Sequence, residues 1–248
     1  METWFVSDIH LKNAEERNGK ILLRFLHSLR DKNPAELHLF LLGDIFDLWI
    51  GGSSYFANKF KDLTKALKAL RAAGVRITYI EGNHDVHIDD YFQKKLGIEV
   101  LVEAQYYQID GLTVRCEHGD LINLQDEAYL NYRAIIRNPR LRPLRHLPGV
   151  FWAYLGNRAS KKSRARSNDY RAQNQAELVK MIREHTLRAY QEKPFDLIIS
   201  GHMHVFDDHS IKIGERTVQN VNLGSWFEDS VKVFCLKDGK TSWVTLPE

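Results

Sequence analysis

Seven side chains able to bind hard or borderline metal ions recur in short polar segments along the chain: Asp8 and His10, Asp44, Asn83, His118, and His202 with His204. Each segment follows an apolar run that reads as a buried strand, so a carboxylate or imidazole at its mouth needs a partner. Carboxylate, amide and imidazole donors without thiolate suit Mn²⁺, Fe²⁺, Co²⁺ or Zn²⁺ better than a structural zinc site, and the share of hard oxygen favours Mn²⁺. Seven ligands are too many for one such ion if a position stays open for substrate; they are about right for two ions sharing Asp44. Two divalent ions about 3.5–4 Å apart suit in-line hydrolysis of a phosphoryl group. The neutral Asn83 leaves such a site cationic enough to attract phosphate and to depress the pKa of bound water.

The elements that must position these groups follow from apolar spacing. Residues 3–7 read as a strand ending in Asp8-Ile9-His10, whose two donors point the same way if the strand continues. Strands over 37–42, 75–80, 112–117 and 196–200 deliver Gly43-Asp44, Gly82-Asn83-His84-Asp85, His118-Gly119-Asp120 and Gly201-His202-Met203-His204. Ile21, Leu22, Phe25, Leu26 and Leu29 mark one amphipathic helix, and Phe60, Leu63, Leu67 and Leu70 a second, stopped at Gly74. Strand, ligand loop, helix, strand is an α/β rhythm, in which functional groups gather at the carboxyl ends of strands. Strands over 209–213, 217–223, 230–236 and 241–246, with an Asp238-Gly239 hairpin, suggest a second sheet stacked on the first.

At 248 residues, 44% hydrophobic and 27% charged, the chain reads as one globular domain over 1–248, not as a disordered or repetitive protein. A mainly helical insertion is expected over 123–190, opened by a span holding Pro139, Pro143 and Pro148. No signal-peptide-like start and no bilayer-spanning run is visible, so a cytoplasmic location is expected. Cys116 and Cys235 lack metal-site spacing and read as buried thiols, while His27, His38, His87, His146, His185 and His209 read as surface or packing residues. Residues 133–171 carry eleven Lys or Arg against Asp169 alone, a net +10 that leaves −7 for the rest of a +3 chain. Such a run is either a solvated face or an anion-binding surface. Arg158, Lys161, Lys162, Arg164 and Arg166 suit diphosphate oxygens or anionic headgroups, and Phe151, Trp152, Tyr154 and Leu155 suit either acyl chains and a bilayer or the insertion's own core.

Asp-x-His, Gly-Asp-x-x-Asp, Gly-Asn-His-Asp, His-Gly-Asp and Gly-His-x-His, in this order from residue 8 to residue 204, resemble the calcineurin-like metallophosphoesterase superfamily. The resemblance implies an α/β fold, a four-layer αββα metallophosphoesterase sandwich with a mainly helical cap insertion. It also implies one ion on Asp8, His10, Asp44 and His204, and another on Asp44, Asn83, His118 and His202. His84 resembles the histidine that contacts the phosphate and protonates the leaving oxygen, and Asp47 could orient it through a His–carboxylate pair. Asp85 and Asp120 read as loop-fixing groups. Asp120 also falls in the substrate-facing set with Arg133, Arg158, Arg166, Asn168, Arg171 and Asn174.

Within the superfamily, the Gly43–Gly51 stretch, Tyr129 and Arg133 after His118-Gly-Asp, the insertion and Gly224-Ser225-Trp226 resemble the diphosphatases of lipid A synthesis. This narrower resemblance implies an acylated UDP-sugar as substrate, UDP-2,3-diacylglucosamine, cleaved to UMP and the acylated sugar 1-phosphate at an anionic inner-membrane surface, with no obligate protein partner. Those enzymes carry arginine at the position of His84 and Arg-Pro at Val205-Phe206. His84 thus follows the broader superfamily pattern, and an alternative substrate is a soluble nucleotide, phosphodiester or phosphoprotein. A silent binding platform, or nucleic-acid binding through the basic segment, is disfavoured because every ligand and His84 are retained; nucleic-acid affinity would fall steeply with salt.

Overall fold

The computed structural model describes residues 1–155 and 174–248. Two sheets lie face to face, beside a short parallel pairing of β3 (Trp49–Ile50) with β5 (Asp85–Val86). The first, in the order β13-β12-β1-β2-β4-β6, is built from β1 (Glu2–Val6), β2 (Leu37–Leu41), β4 (Arg76–Ile80), β6 (Glu99–Leu101), β12 (Lys232–Lys237) and β13 (Lys240–Thr245). The second, in the order β10-β11-β9-β8-β7, contains β7 (Gln105–Ile109), β8 (Leu112–Cys116), β9 (Leu197–Ser200), β10 (Phe206–Ile213) and β11 (Arg216–Leu223). Within the first sheet β1, β2, β4 and β6 run parallel, and within the second β8, β9 and β11 do. Their carboxyl ends deliver every proposed ligand.

Period-two alternation explains the layering. Phe5, Phe40, Leu42 and Ile80 face the second sheet and pack with Val114, Cys116, Leu197, Ile199, Val221 and Phe234. Phe5 stacks on Phe40 at 5.0 Å between ring centroids. Trp4, Val6, Leu39, Leu41, Ile77 and Tyr79 face the other way, against Ile21, Leu22, Phe25 and Leu26 of α1 (Arg17–Ser28) and Leu63, Leu67 and Leu70 of α3 (Lys61–Ala72). α2 (Ser54–Lys59) and α4 (Asp89–Leu96) complete this layer through Phe56 and Phe92. Each such side chain taken out of water contributes roughly 1.5–3 kcal/mol.

Three expectations are corrected. The C-terminal strands divide between the sheets: β10 and β11 extend the second, whereas the β12–β13 hairpin returns to pair antiparallel with β1. The reason is the inward face of β12, where Phe234 and Leu236 fill the space between the sheets beside Phe5. Second, α7 (Gln175–Glu192), expected inside the insertion, lies on the outer face of the second sheet. There Ala189 packs with Phe195, Ile198 and Val218, while Leu178 and Ile182 pack with Ile122, Met203 and Val205. Third, β1 ends at Val6, and Asp8 and His10 sit beyond it with φ of 51° and 53°, so a loop and not strand alternation aligns them.

The described part of the insertion comprises α5 (Glu127–Ile136), a 3-10 helix Pro139–His146, and α6 (149–155). Cys116 and Cys235 are both free and buried. Among the described residues no helix is long and apolar enough to cross a membrane.

Candidate dinuclear metal site

The stretch from Gly43 to Trp49 is held by what it buries. Ile45, Phe46 and Trp49 are inaccessible to solvent, and Trp49 is ringed by Phe46, Phe56, Phe60 and Phe92 at 4.7–6.0 Å. The loop after β1 is laced to it: Asp8 N–H donates to the Gly43 carbonyl, His10 N–H to Asp44, Leu11 N–H to Ile45, and Asp47 N–H returns to Leu11. The pairing sets the separation of Asp8, His10 and Asp44 by main-chain hydrogen bonds. Five of the seven proposed ligands, Asp8, His10, Asp44, His202 and His204, have φ between 51° and 65°. Left-handed backbone at non-glycine residues is costly, and here it is concentrated where donors must turn inward.

Asp85 clamps the next pair of loops. Its buried carboxylate accepts hydrogen bonds from the N–H groups of Asp44, Ile45 and Gly82 and from the Tyr79 hydroxyl, at 2.6–3.0 Å. Burial and the neighbouring Asp44 push the Asp85 carboxyl up to about 7. Four donors and no acceptor around it nonetheless call for the ionised form. Gly82 is obligatory, because a Cβ there would stand 2.1 Å from Asp44 Oδ1; at Gly201 it would stand 2.1 Å from Asp8 Oδ2.

The donors gather in two groups. In one, Asp8, His10, Asp44 and His204 converge: His204 Nε2 is 2.9 Å from His10 Nε2 and 3.1 Å from Asp8 Oδ1. In the other, Asn83 Oδ1 lies 2.9 Å from His202 Nδ1 and 3.2 Å from His118 Nε2, close to Asp44. Asp44 Oδ2 stands 3.7 Å from both His10 Nε2 and His118 Nε2, while its Oδ1 accepts the His84 N–H at 2.9 Å. One carboxylate oxygen therefore faces both groups.

The donor set fits two divalent cations. Asp8 Oδ1 is fully buried with the His204 imidazole 3.1 Å away, and imidazole nitrogens face one another inside a carboxylate-lined cage. His118 Nδ1–H donates to the Leu42 carbonyl at 2.8 Å, which directs Nε2 inward toward Asn83 and Asp44, the orientation that metal binding through Nε2 would need. Electrostatics agree. Burial alone would raise the Asp8 carboxyl, but His204 and His118 outweigh it and hold it at about 2; Asp44 is likewise pulled far below the carboxylate range, against its burial, by His118, His84 and His10. Burial would lower His118, but Asp44, Asp8 and Asp120 raise it to about 9; burial, and then His118, push His202 down to about 4. Two carboxylates in this cage stay ionised.

His84 borders the first group, its ring 4.8 Å from that of His10. The expected Asp47 pairing takes a different form. His84 Nδ1–H donates to the main-chain carbonyl of Asp47 at 2.8 Å, while Asp47, His10 and His84 also lie together as a group of potential donors. Asp120 and Arg133 are engaged with each other: Asp120 accepts from the Tyr129 hydroxyl and Arg133 Nε, both at 2.7 Å, and Arg133 also reaches Glu103. Asn174 is partly buried at the start of α7. Arg158, Lys161, Lys162, Arg164, Arg166, Asn168 and Arg171 lie outside the described residues. Tyr129, singled out in the sequence only as part of the resemblance, places its ring 5.5 Å from that of His202; sequence reasoning missed Phe227, stacked on His10, which only its nearness to Gly224-Ser225-Trp226 could have flagged.

A family model for calcineurin-like phosphoesterases matches residues 1–206. The chain belongs to this family. A metallophosphoesterase of this kind is a metal-dependent hydrolase, and the family implies divalent metal ions. The UDP-2,3-diacylglucosamine hydrolase of Pseudomonas savastanoi pv. phaseolicola is 32% identical over 225 residues, covering 89% of this chain and 86% of its own. The protein of the same name from Photorhabdus laumondii is 27% identical over 247 residues, and the match covers 100% of both chains. Among solved structures, Vps29 from Entamoeba histolytica aligns over 100% of both chains at 12% identity with a TM-score of 0.43, a likeness too loose to bear on the site.

Proposed function

We propose that this metallophosphoesterase hydrolyses the diphosphate of UDP-2,3-diacylglucosamine to UMP and the acylated sugar 1-phosphate, in lipid A synthesis. The observation that carries the two-metal reading is Asp44 Oδ2, equidistant from His10 and His118 at the meeting of two donor groups. The names of the full-length relatives support the substrate. In this reading Asp8, His10, Asp44 and His204 hold one ion, Asp44, Asn83, His118 and His202 the other, and Mn²⁺ suits the mixture of oxygen and imidazole donors. When bound, such ions supply Lewis-acid charge to phosphoryl oxygens and depress the pKa of water.

The chain's own residues do the rest. With His84 Nδ1–H committed to the Asp47 carbonyl, Nε2 is the nitrogen that exchanges a proton, and it holds that proton ready for the departing phosphate oxygen. The His84 main chain is fixed on both sides, its N–H to Asp44 and its carbonyl receiving the Trp49 N–H. Asp120 aligns Tyr129 and Arg133 of α5 beside His202. The segment from α5 through α6 acts as a cap, whose exposed Ile135, Phe151, Tyr154 and Leu155, with the basic run of the sequence, suit acyl chains at an anionic, cytoplasmic membrane surface.

Incubating the protein with UDP-2,3-diacylglucosamine in detergent micelles and Mn²⁺, beside bis-p-nitrophenyl phosphate, tests the proposal. UMP release from the lipid substrate with slow turnover of the small ester is expected. Turnover of the small ester alone would refute the substrate.

A further inference from the structure

Aromatic rings flank the two ends of the ligand set. On the Asn83–His118–His202 side stand Tyr129, near His202, and Tyr132, whose hydroxyl is 3.5 Å from the Asn83 carbonyl. Both belong to α5, the start of the apolar cap. On the Asp8–His10–His204 side stands Phe227, which follows β11 and does not belong to α5. Its ring lies nearly parallel to His10, at 17° and 5.6 Å between centroids, and 5.5 Å from His204. It is nonetheless 54% exposed.

The ring covers His10 and His204 with one part of its surface and leaves the larger part open to solvent, where a planar aromatic face can meet a ligand held by the adjoining polar cage. Its presentation is also fixed. The preceding Trp226 is buried, donates its N–H to the Asp8 carbonyl at 3.2 Å, and accepts from Asn18 Nδ2 through its own carbonyl at 2.7 Å. Arg17 holds the carbonyls of Glu228 and Asp229, the two residues that follow Phe227 in the chain. One flank of Phe227 is therefore turned to His10 and the rest is offered to solvent at the mouth of the site.

We infer that Phe227 is a specificity-determining residue that stacks on the planar, uncharged base of a nucleoside phosphate. The assignment to the nucleotide half rests on the function proposed above. If the acylated sugar lies toward the cap, the diphosphate spans the ligand set and the base emerges at the opposite end, where Phe227 waits. An aromatic face meets a base by stacking without needing hydrogen bonds, and a single such stack alters affinity measurably.

Isothermal titration of the full-length, Mn²⁺-loaded protein with UMP and, separately, with inorganic phosphate tests the inference. Phe227→Ala is expected to weaken UMP about tenfold and to leave phosphate affinity and metal content unchanged. Phe227→Trp retains tight UMP binding, whereas Phe227→Leu, which keeps apolar cover over His10 without a ring, behaves like alanine. Unchanged UMP affinity in Phe227→Ala overturns the inference, and so does equal weakening of UMP and phosphate, which would make the ring a support for His10. Turnover of the lipid substrate by the unaltered chain is scored independently. Its absence together with a ring-dependent UMP affinity removes the proposed substrate and upholds the nucleobase contact.

Discussion

Asp44 divides its two oxygens between tasks: Oδ1 accepts the His84 N–H, and Oδ2 is left facing His10 and His118. Removing that side chain takes a ligand from both donor groups at once. Asp44→Ala is therefore expected to lose both ions by elemental analysis, together with activity; a full two-metal content would rule out the shared ligand. His84 should separate these properties. His84→Gln is expected to keep both ions and to lose turnover by roughly 10²–10⁴-fold, the usual worth of a positioned proton donor, and unimpaired turnover would exclude that role. At this scale the donors were readable because their types and short spacings are local. The ties to Asp85 were not, since its partners Asp44 and Ile45 are forty residues away in sequence.

Elements hold the site by pairing that no single segment announces. β8 is pinned to α7 through Glu117, which takes His185 Nε2–H on one oxygen and Arg115 Nε–H, at 2.7 Å, on the other; Arg188 donates to His185 Nδ1 at 2.8 Å. The residue after Glu117 is His118, a candidate donor, so a helix on the outer face steadies the strand end that carries it. Between the sheets, β2 buries His38 against Thr78 of β4 at 3.0 Å. Burial, and then the Arg76 charge, depress His38 to about 3 from its ordinary 6.5. The fold thus accommodates the neutral ring. Below pH 6.5 an unfolded chain takes a proton that the folded one refuses until about pH 3. Stability present above pH 6.5 is lost through this interval as pH falls, by up to about 1.4 kcal/mol per unit. Urea unfolding of metal-free protein between pH 7 and 5 should show a shallower pH dependence for His38→Gln than for the unaltered chain. Identical slopes would mean that His38 protonates in the folded state.

At the scale of the whole molecule, α5 and the 3-10 helix are latched onto the edge of the sandwich that carries the candidate donors. Arg137, at the end of α5, pairs with buried Glu81 and donates to the Gly82 carbonyl at 3.1 Å, directly before Asn83 and His84. Arg142 and Arg145 reach Asp89, Arg145 also reaches Asp90, and His87 Nε2 meets the Ile136 carbonyl. Glu81 is 3% exposed, so Arg137→Met strands a buried carboxylate and is expected to destabilise the protein by about 3 kcal/mol in urea. Replacing 139–170 by a short linker keeps that pair. Such a variant is expected to hydrolyse bis-p-nitrophenyl phosphate at the normal rate while losing the acylated substrate, and retention of both activities would show that the cap does not select the acyl chains.

The sequence by itself determined the candidate donors, the apolar strands that precede them and an α/β rhythm, because strand periodicity and motif spacing are written over ten residues or fewer, while the αββα class followed from the resemblance that the ordered motifs carry. Tertiary structure decided which atoms meet. His10 and His204 are 194 positions apart yet 2.9 Å distant, and the backbone reaches that approach by turning Asp8, His10, Asp44, His202 and His204 into left-handed conformations that strand propensity does not foretell. The return of β12 to β1, the placement of α7 on the second sheet, the mutual pairing of Asp120 with Arg133, and the exposure of Phe227 over His10 all arise from contacts between distant segments. Such contacts are selected by packing and charge complementarity once the sheets have closed, and no local pattern contains them.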